Sequence, residues 1–267
     1  MKKVLAVVFA ATMFAGNVFA QKIVLEGSTT VLPIAQRAAE EYMDANSKAD
    51  LTVRGGGSGV GINSLIAGTC DIAMSSRAIR DTEIQNADAK GRKTKAFVVA
   101  MDGIAVIVNN SNSVSSLSKK QIADIYTGKV TNWSEVGGKN EKIVVVSRDS
   151  ASGTFESFSE LALNKQKVIG SALMQASNQA ISTTVSKTPG AIGYVGIGYI
   201  SGSIKAVSID GIMPSAETVL TGKYPYSRPL FMYTNGEPKG QVKDFMDFVL
   251  SKDGQRIVSE EGFVALQ

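Results

Sequence analysis

The stretch Asp50-Leu-Thr-Val-Arg-Gly-Gly-Gly-Ser-Gly-Val-Gly-Ile-Asn-Ser-Leu-Ile-Ala-Gly68 reads as strand, glycine loop and helix in immediate succession. Asp50 to Arg54 is β-like, Val60 to Ala67 is helical, and Gly68 ends the helix as a C-terminal glycine does. A strand that turns directly into a helix is the repeating unit of an α/β fold with parallel strands. The loop between them, Gly55-Gly56-Gly57-Ser58-Gly59, has the context of a phosphate-cradling loop. A helix start offers unpaired N–H groups and partial positive charge, and glycine lets an anion approach the backbone. The loop lacks the Gly-Lys-Ser/Thr ending of a nucleotide P-loop, and Gly57-x-Gly59 has no third glycine at the dinucleotide spacing. Taken alone, a tight strand-to-helix turn explains it equally well.

Two further loops repeat the pattern. Lys22 to Leu25 reads as a strand, then Gly27-Ser28-Thr29-Thr30 precedes a helical pattern from Val31 to Asp44. Ile143 to Ser147 reads as a strand, then Ser150-Ala151-Ser152-Gly153-Thr154 opens a helix from Thr154 to Leu163. Helix capping and anion binding use the same hydroxyls and N–H groups, so the two readings are compatible. Three such loops point to a site that surrounds a small oxyanion. Arg148 sits just before the third loop and brings a permanent charge with a planar fork of donors. Its competing role is an ion pair with Asp149 or Glu156; adjacent strand residues face opposite ways, which disfavours Asp149. Ser75-Ser76-Arg77 ends a further strand, Asp71 to Ser75. That makes Arg77 a candidate second cation, against the plainer reading of a solvent-facing arginine.

The long β-rich run Ala96 to Val108 is divided by Asp102-Gly103, and a strand of that length can cross between two domains. Pro225 to Thr234, with Leu230 to Tyr233 at its centre, can return the chain. Ser118 to Tyr126, Val242 to Leu250 and Gly254 to Glu260 read as helices, and Ala191 to Tyr199 as a buried strand. The expected organisation is a two-lobed α/β protein with the ligand between the lobes. Residues 21–101 with 223–267 form one lobe and 102–222 the other, hinged near Met101 to Gly103 and Tyr224.

The sequence contains no histidine, which removes a Ser-His-Asp triad and any histidine-ligated metal site. No Ser-x-x-Lys lies beside an oxyanion loop, so a secreted hydrolase is the weaker alternative and no enzyme, cofactor or metal is expected. The formal charge of +4, with no basic run interleaved with aromatics, does not point to nucleic acid. Lys2 and Lys3, the apolar run Val4 to Ala15 and the small-residue ending Val18-Phe19-Ala20 read as a signal peptide over residues 1–20. The signal has no lipid-accepting cysteine, which favours release into a periplasm. Cys70 is the single cysteine and is flanked by apolar residues, so it is expected to be buried and inert.

At these residues the chain resembles the phosphate-binding proteins of bacterial ABC importers, the PstS-type periplasmic binding proteins. The resemblance spans the chain after the signal. It is carried by Gly27-Ser-Thr-Thr-Val31 with Pro33, Gly55 to Ile62, Asp71-Ile-Ala-Met-Ser-Ser-Arg77, and Ile125 to Trp133. It continues through Val136-Gly-Gly138, Arg148 with Ser152-Gly153-Thr154, Gly193-Tyr-Val-Gly196, Tyr224-Pro-Tyr-Ser-Arg-Pro229, and Phe248-Val-Leu-Ser251 with Gly254-Gln255. It implies a type II, Venus-flytrap fold, a monomer that closes on inorganic phosphate and delivers it to a membrane permease. The ligand residues it implies are Ser28, Thr29, Ser58, Arg148, Ser152, Gly153 and Thr154; the loop reading adds Thr30 and Ser76, with Arg77 as a candidate. Two departures stand out. Family members place at position 76 an aspartate that accepts the proton of hydrogen phosphate, and many carry an acid at position 150. Here both are serine. Phosphate is still expected, held through a different acceptor; sulfate, molybdate and tungstate are the alternative cargoes.

Overall fold

The computed structural model describes residues 22–266; the stretch read as an export signal lies outside them. The first part of the chain runs β1 (Lys22–Gly27), α1 (Leu32–Ala45), β2 (Asp50–Gly55), α2 (Ser58–Ala67), β3 (Ile72–Ser75) and α3 (Asp81–Ala89). A 16-residue strand, β4 (Thr94–Asn109), then leads to β5 (Ser116–Leu117), α4 (Lys119–Tyr126), β6 (Val144–Arg148), α5 (Gly153–Leu161) and β7 (Leu173–Gln175). The chain continues through α6 (Asn178–Lys187), β8 (Ala191–Gly196), β9 (Ile204–Ala206), β10 (Ser208–Ile209) and α7 (Ala216–Leu220). It ends with β11 (Ser227–Asn235), α8 (Gly240–Leu250) and α9 (Lys252–Glu260).

The strands lie in the order β2-β1-β3-β11-β4-β8-β6-β7, with β9 also on β4. At one end β1 pairs parallel with β2 and β3; at the other β6 pairs parallel with β7 and β8. These are the strand-loop-helix units legible in sequence. They are joined through antiparallel β11 and β4. Residues Thr94 to Gly103 of β4 pair with β11, and from Ile104 onward β4 pairs with β8. The change of partner falls at Gly103, beside the Asp102-Gly103 break in the hydrophobic run. A single strand therefore belongs to both halves, and the parallel strands of this large sheet deliver their C-terminal ends, with the loops that follow, to the seam between them.

Ile104 to Val108 and all of β8 are buried, which is why both read as apolar runs without alternation. Under the seam Phe158 stacks on Tyr194 with ring centroids 4.0 Å apart, and Tyr126 packs edge-on to Phe158. Cys70 is buried; its thiol faces the carbonyl of Gly61, and burial pushes its pKa up to about 12. Two expectations change. The strand from Ala191 stops at Gly196, and Ile197–Tyr199 form a 3₁₀ turn that brings Tyr199 toward the seam. Helices α3 and α6 were not foreseen. In α6 the inward positions Asn178, Ile181, Ser182 and Val185 carry the helical spacing, but two are polar, which hides the stripe from a hydrophobicity reading.

Candidate functional site

The three loops meet at the seam. Their hydroxyl residues Ser28, Thr29, Thr30, Ser58, Ser152 and Thr154 are all buried, as is Ser76 at the end of β3. Local sequence explains how each loop gets there. Gly57 adopts a left-handed φ of 98°, and a β-carbon there would lie 2.6 Å from the carbonyl oxygen of Ala151. That glycine lets the second loop touch the third, and the Gly59 N–H donates to the same carbonyl at 3.0 Å. Gly153 approaches still closer, since an added β-carbon would meet Ser58 Oγ at 2.2 Å.

Capping accounts for only part of the hydroxyls. Ser152 Oγ caps α5 by accepting from Phe155 N–H, and Ser28 Oγ accepts from Thr30 N–H. Both retain their own proton for donation. The helices α1 and α2 have no side-chain cap. The other hydroxyls face one another instead, Ser58 and Ser76 within the first half and the other two pairs across the seam. Thr30 Oγ1 and Thr154 Oγ1 are 2.9 Å apart, Ser58 Oγ and Ser76 Oγ 3.3 Å, and Ser76 Oγ and Thr154 Oγ1 3.5 Å. Hydroxyls from four separate chain segments thus converge on one spot.

Arg148, at the end of β6, is 1% exposed. Its Nε donates to the carbonyl of Gln175 at 3.1 Å and its Nη2 to that of Ala176 at 2.9 Å, while Nη1 has no partner. Its own N–H donates to the Tyr194 hydroxyl. Burial pushes the guanidinium pKa down from its ordinary value, yet an arginine keeps its proton in a protein. Neither Asp149 nor Glu156 pairs with it, and among the described residues no carboxylate lies within 4.0 Å of it. It is a buried cation without a counter-ion.

Arg77 is placed differently from the expectation of a ligand-facing cation. Its Nη1 and Nη2 fork onto Glu83 at 2.8 and 2.7 Å, and its Nε lies 2.5 Å from Glu156. The Arg80 Nε also donates to Glu156. With two carboxylates against it, Arg77 ties the end of β3 to α3 and to α5, and its charge is neutralised away from the hydroxyl cluster.

Four residues at the seam were not foreseen as functional. Asn178, opening α6, donates from Nδ2 to Thr29 Oγ1 and Thr30 Oγ1 at 3.1 and 3.0 Å and accepts from Gly196 N–H. The Tyr199 hydroxyl donates to the carbonyl of Thr29. Arg228 on β11 stands opposite Asp102 on β4 and donates to its Oδ2 from Nε and Nη2 at 3.0 and 2.8 Å. Arg228 also donates from Nη1 to the carbonyl of Ser76 and from Nη2 to Thr154 Oγ1, both at 3.0 Å. Burial raises the Asp102 carboxyl above its ordinary value, and Arg228 together with the N–H groups of Ile197 and Gly103 opposes that rise. The available signal was a charge inside each of the two crossing β-runs, Asp102 and Arg228. Opposite charges in apolar strands pair when the register aligns them.

The chain matches the PBP superfamily domain over residues 16–253. It is 35% identical over 247 residues to the phosphate-binding protein PstS of Bacillus subtilis, covering 91% of this chain and 80% of that protein. It is 33% identical to the phosphate-binding protein PstS of Borreliella burgdorferi, with 100% of both chains covered. Among solved structures, one from Clostridium perfringens is described as a phosphate ABC transporter substrate-binding protein with bound phosphate. It superimposes with a TM-score of 0.87 at 33% identity, covering 92% of this chain and 100% of that one. An ABC-type phosphate transport receptor from Vibrio cholerae gives a TM-score of 0.75 at 34% identity, covering 91% and 99%. The pairing of the two half-sheets through β4 and β11 is thus the two-lobed α/β architecture of periplasmic binding proteins, and the chain belongs to the PBP superfamily as a member of its PstS-type phosphate-binding proteins.

Proposed function

We propose that this protein captures inorganic phosphate between two lobes and hands it to the membrane permease of an ABC importer. The observation that carries the reading is Arg148, a buried guanidinium with no counter-ion and one unpartnered Nη group, on the strand that leads into the helix start at Ser152 to Thr154. An arginine buried without an anion is costly, and a bound oxyanion relieves that cost. Thr29, Thr30, Ser58 and Thr154 donate hydroxyl protons to the phosphate oxygens, and the Ser76 hydroxyl oxygen accepts the proton of hydrogen phosphate. Ser28 and Ser152 donate theirs while their oxygens serve the backbone, and the helix start at Gly153 adds N–H groups. Arg77 shapes the site through Glu83 and Glu156 without touching the ligand. The protein acts by binding and release, not by turnover.

Residues 22–101 with 223–266 form the first lobe and 102–222 the second, and they close about β4 and β11. Hydrogen bonds from Asn178 to Thr29 and Thr30 hold the lobes together in the closed form. Residues 1–20 direct export to the periplasm, where the protein works as a monomer; N-terminal sequencing of the protein recovered from that compartment should begin near Gln21.

Thermal unfolding of phosphate-stripped protein tests the cargo. A ligand at about a hundred times its Kd adds about 2.7 kcal/mol. For a chain of this size that raises Tm by about 5–10 °C. Phosphate and arsenate should give this shift and sulfate should not. Equal shifts with sulfate would assign the site to tetrahedral oxyanions in general, the reading favoured by serine at position 76, and no shift with phosphate would refute the proposal.

A further inference from the structure

We infer that Arg228 is a second anion-binding cation, fixed to the floor of the cleft, and that Asp102 positions it. The inference rests on the phosphate reading above and adds a residue from neither the glycine loops nor Arg148. Arg228 is buried, and so is Asp102. They face one another across the two strands that join the halves of the molecule, at the point where β4 changes partner. A pair needed only to join those strands would satisfy itself with the carboxylate. Here the guanidinium reaches further. Nη1 holds the carbonyl of Ser76, and Nη2 extends past Asp102 to Thr154 Oγ1 at 3.0 Å and Thr30 Oγ1 at 3.4 Å.

Thr30 and Thr154 come from the first and third loops, and Ser76 from the end of β3. One planar group therefore touches three of the segments that converge on the site. An oxyanion oxygen received by Thr30 and Thr154 lies within reach of the same N–H. Arg148 stands on β6 beside α5, whereas Arg228 stands on a crossing strand. The two cations approach the ligand from different parts of the fold. Asp102 accepts two donors of Arg228 and the N–H of Ile197, which holds the fork in one orientation. It also leaves the paired arginines at the site with a single net positive charge. Lysine cannot replace this group, because a single ammonium cannot bond Asp102, the Ser76 carbonyl and an anion in one plane.

The test uses the phosphate-stripped full chain, titrated calorimetrically with inorganic phosphate, with ligand-free Tm measured alongside. Wild-type protein that fails to bind phosphate overturns the phosphate reading and this inference with it. With binding established, R228Q should raise the Kd for phosphate by about 100-fold, and a rise below tenfold overturns the role. Should R228Q not fold, R228K carries the test: a Kd raised more than threefold supports the fork, and a smaller change overturns it. For Asp102, the D102N/R228K double variant should bind phosphate no more weakly than the weaker single variant, because the carboxylate acts through the guanidinium. Losses that multiply overturn the positioning role.

Discussion

Arg148 is held by two main-chain carbonyls where a carboxylate would have neutralised it. Carbonyl acceptors fix its orientation and leave its charge uncompensated. Charge-assisted hydrogen bonds contribute about 1.5–3 kcal/mol each. Arg148→Ala should therefore weaken phosphate binding by about 100-fold or more in a calorimetric titration, since each 1.4 kcal/mol is about a factor of ten. Near-native affinity would move the site elsewhere. Arg77 shows the opposite arrangement, and its partner gives a pH signature. Burial acts to raise the Glu83 carboxyl, but the Arg77 donors and the Arg80 N–H outweigh it and hold the pKa below the ordinary 4.5. A carboxyl depressed in the folded state adds stability above its unfolded pKa and loses it as pH falls through the folded value. Thermal melts of wild type and Glu83→Gln should differ most at neutral pH, with wild type the more stable. The gap should close as the pH drops below 4.5. A gap that is constant from neutral to acid pH would mean that the ionised pair adds nothing.

The start of α5 is the element that makes closure exact in space. Gly153 is helical rather than left-handed, so its backbone accepts alanine; what does not accept it is the facing loop, with Ser58 Oγ at 2.2 Å and Ser76 Oγ at 2.8 Å from an added β-carbon. Both atoms belong to segments outside α5, so the clash exists only when the seam is shut. Overpacking costs about 1–3 kcal/mol. Gly153→Ala should lower phosphate affinity roughly tenfold or more while leaving the Tm of ligand-free protein nearly unchanged. An equal loss of ligand-free stability would show that α5 packs this way with or without ligand. The loops themselves were legible because their chemistry is local. A strand ending in glycine and hydroxyl residues before an apolar helical stripe specifies a helix start wherever it lies in the chain. Helix α6 was less legible because its buried face carries Asn178 and Ser182, which serve the seam and the 3₁₀ turn rather than an apolar core.

Across the whole molecule, two long strands, β4 and β11, carry the chain between the halves. β4 serves one half-sheet up to Gly103 and the other from Ile104, and β11 lies beside it up to that point. A change of partner within one strand permits rotation of the half-sheets with small changes in few dihedrals. Small-angle scattering should show a smaller radius of gyration when phosphate is added to stripped protein. Superimposable curves would refute closure about this hinge.

The amino-acid sequence by itself determined the α/β class, the loops that follow β1, β2 and β6, the crossing character of Ala96 to Val108, and the absence of histidine chemistry. Each of these depends on neighbours within a few residues or on composition. Only the tertiary structure decided which arginine is neutralised and which is left without a carboxylate. Arg77 and Arg148 both stand at the end or just past the end of a parallel strand beside a serine, and nothing local separates them. Glu83 and Glu156 neutralise the first, whereas carbonyls hold the second. Arg228 reaches the hydroxyl cluster because the register of β11 on β4 sets it opposite Asp102. Charge pairing of that kind is a long-range property, fixed by which strands meet and in what alignment.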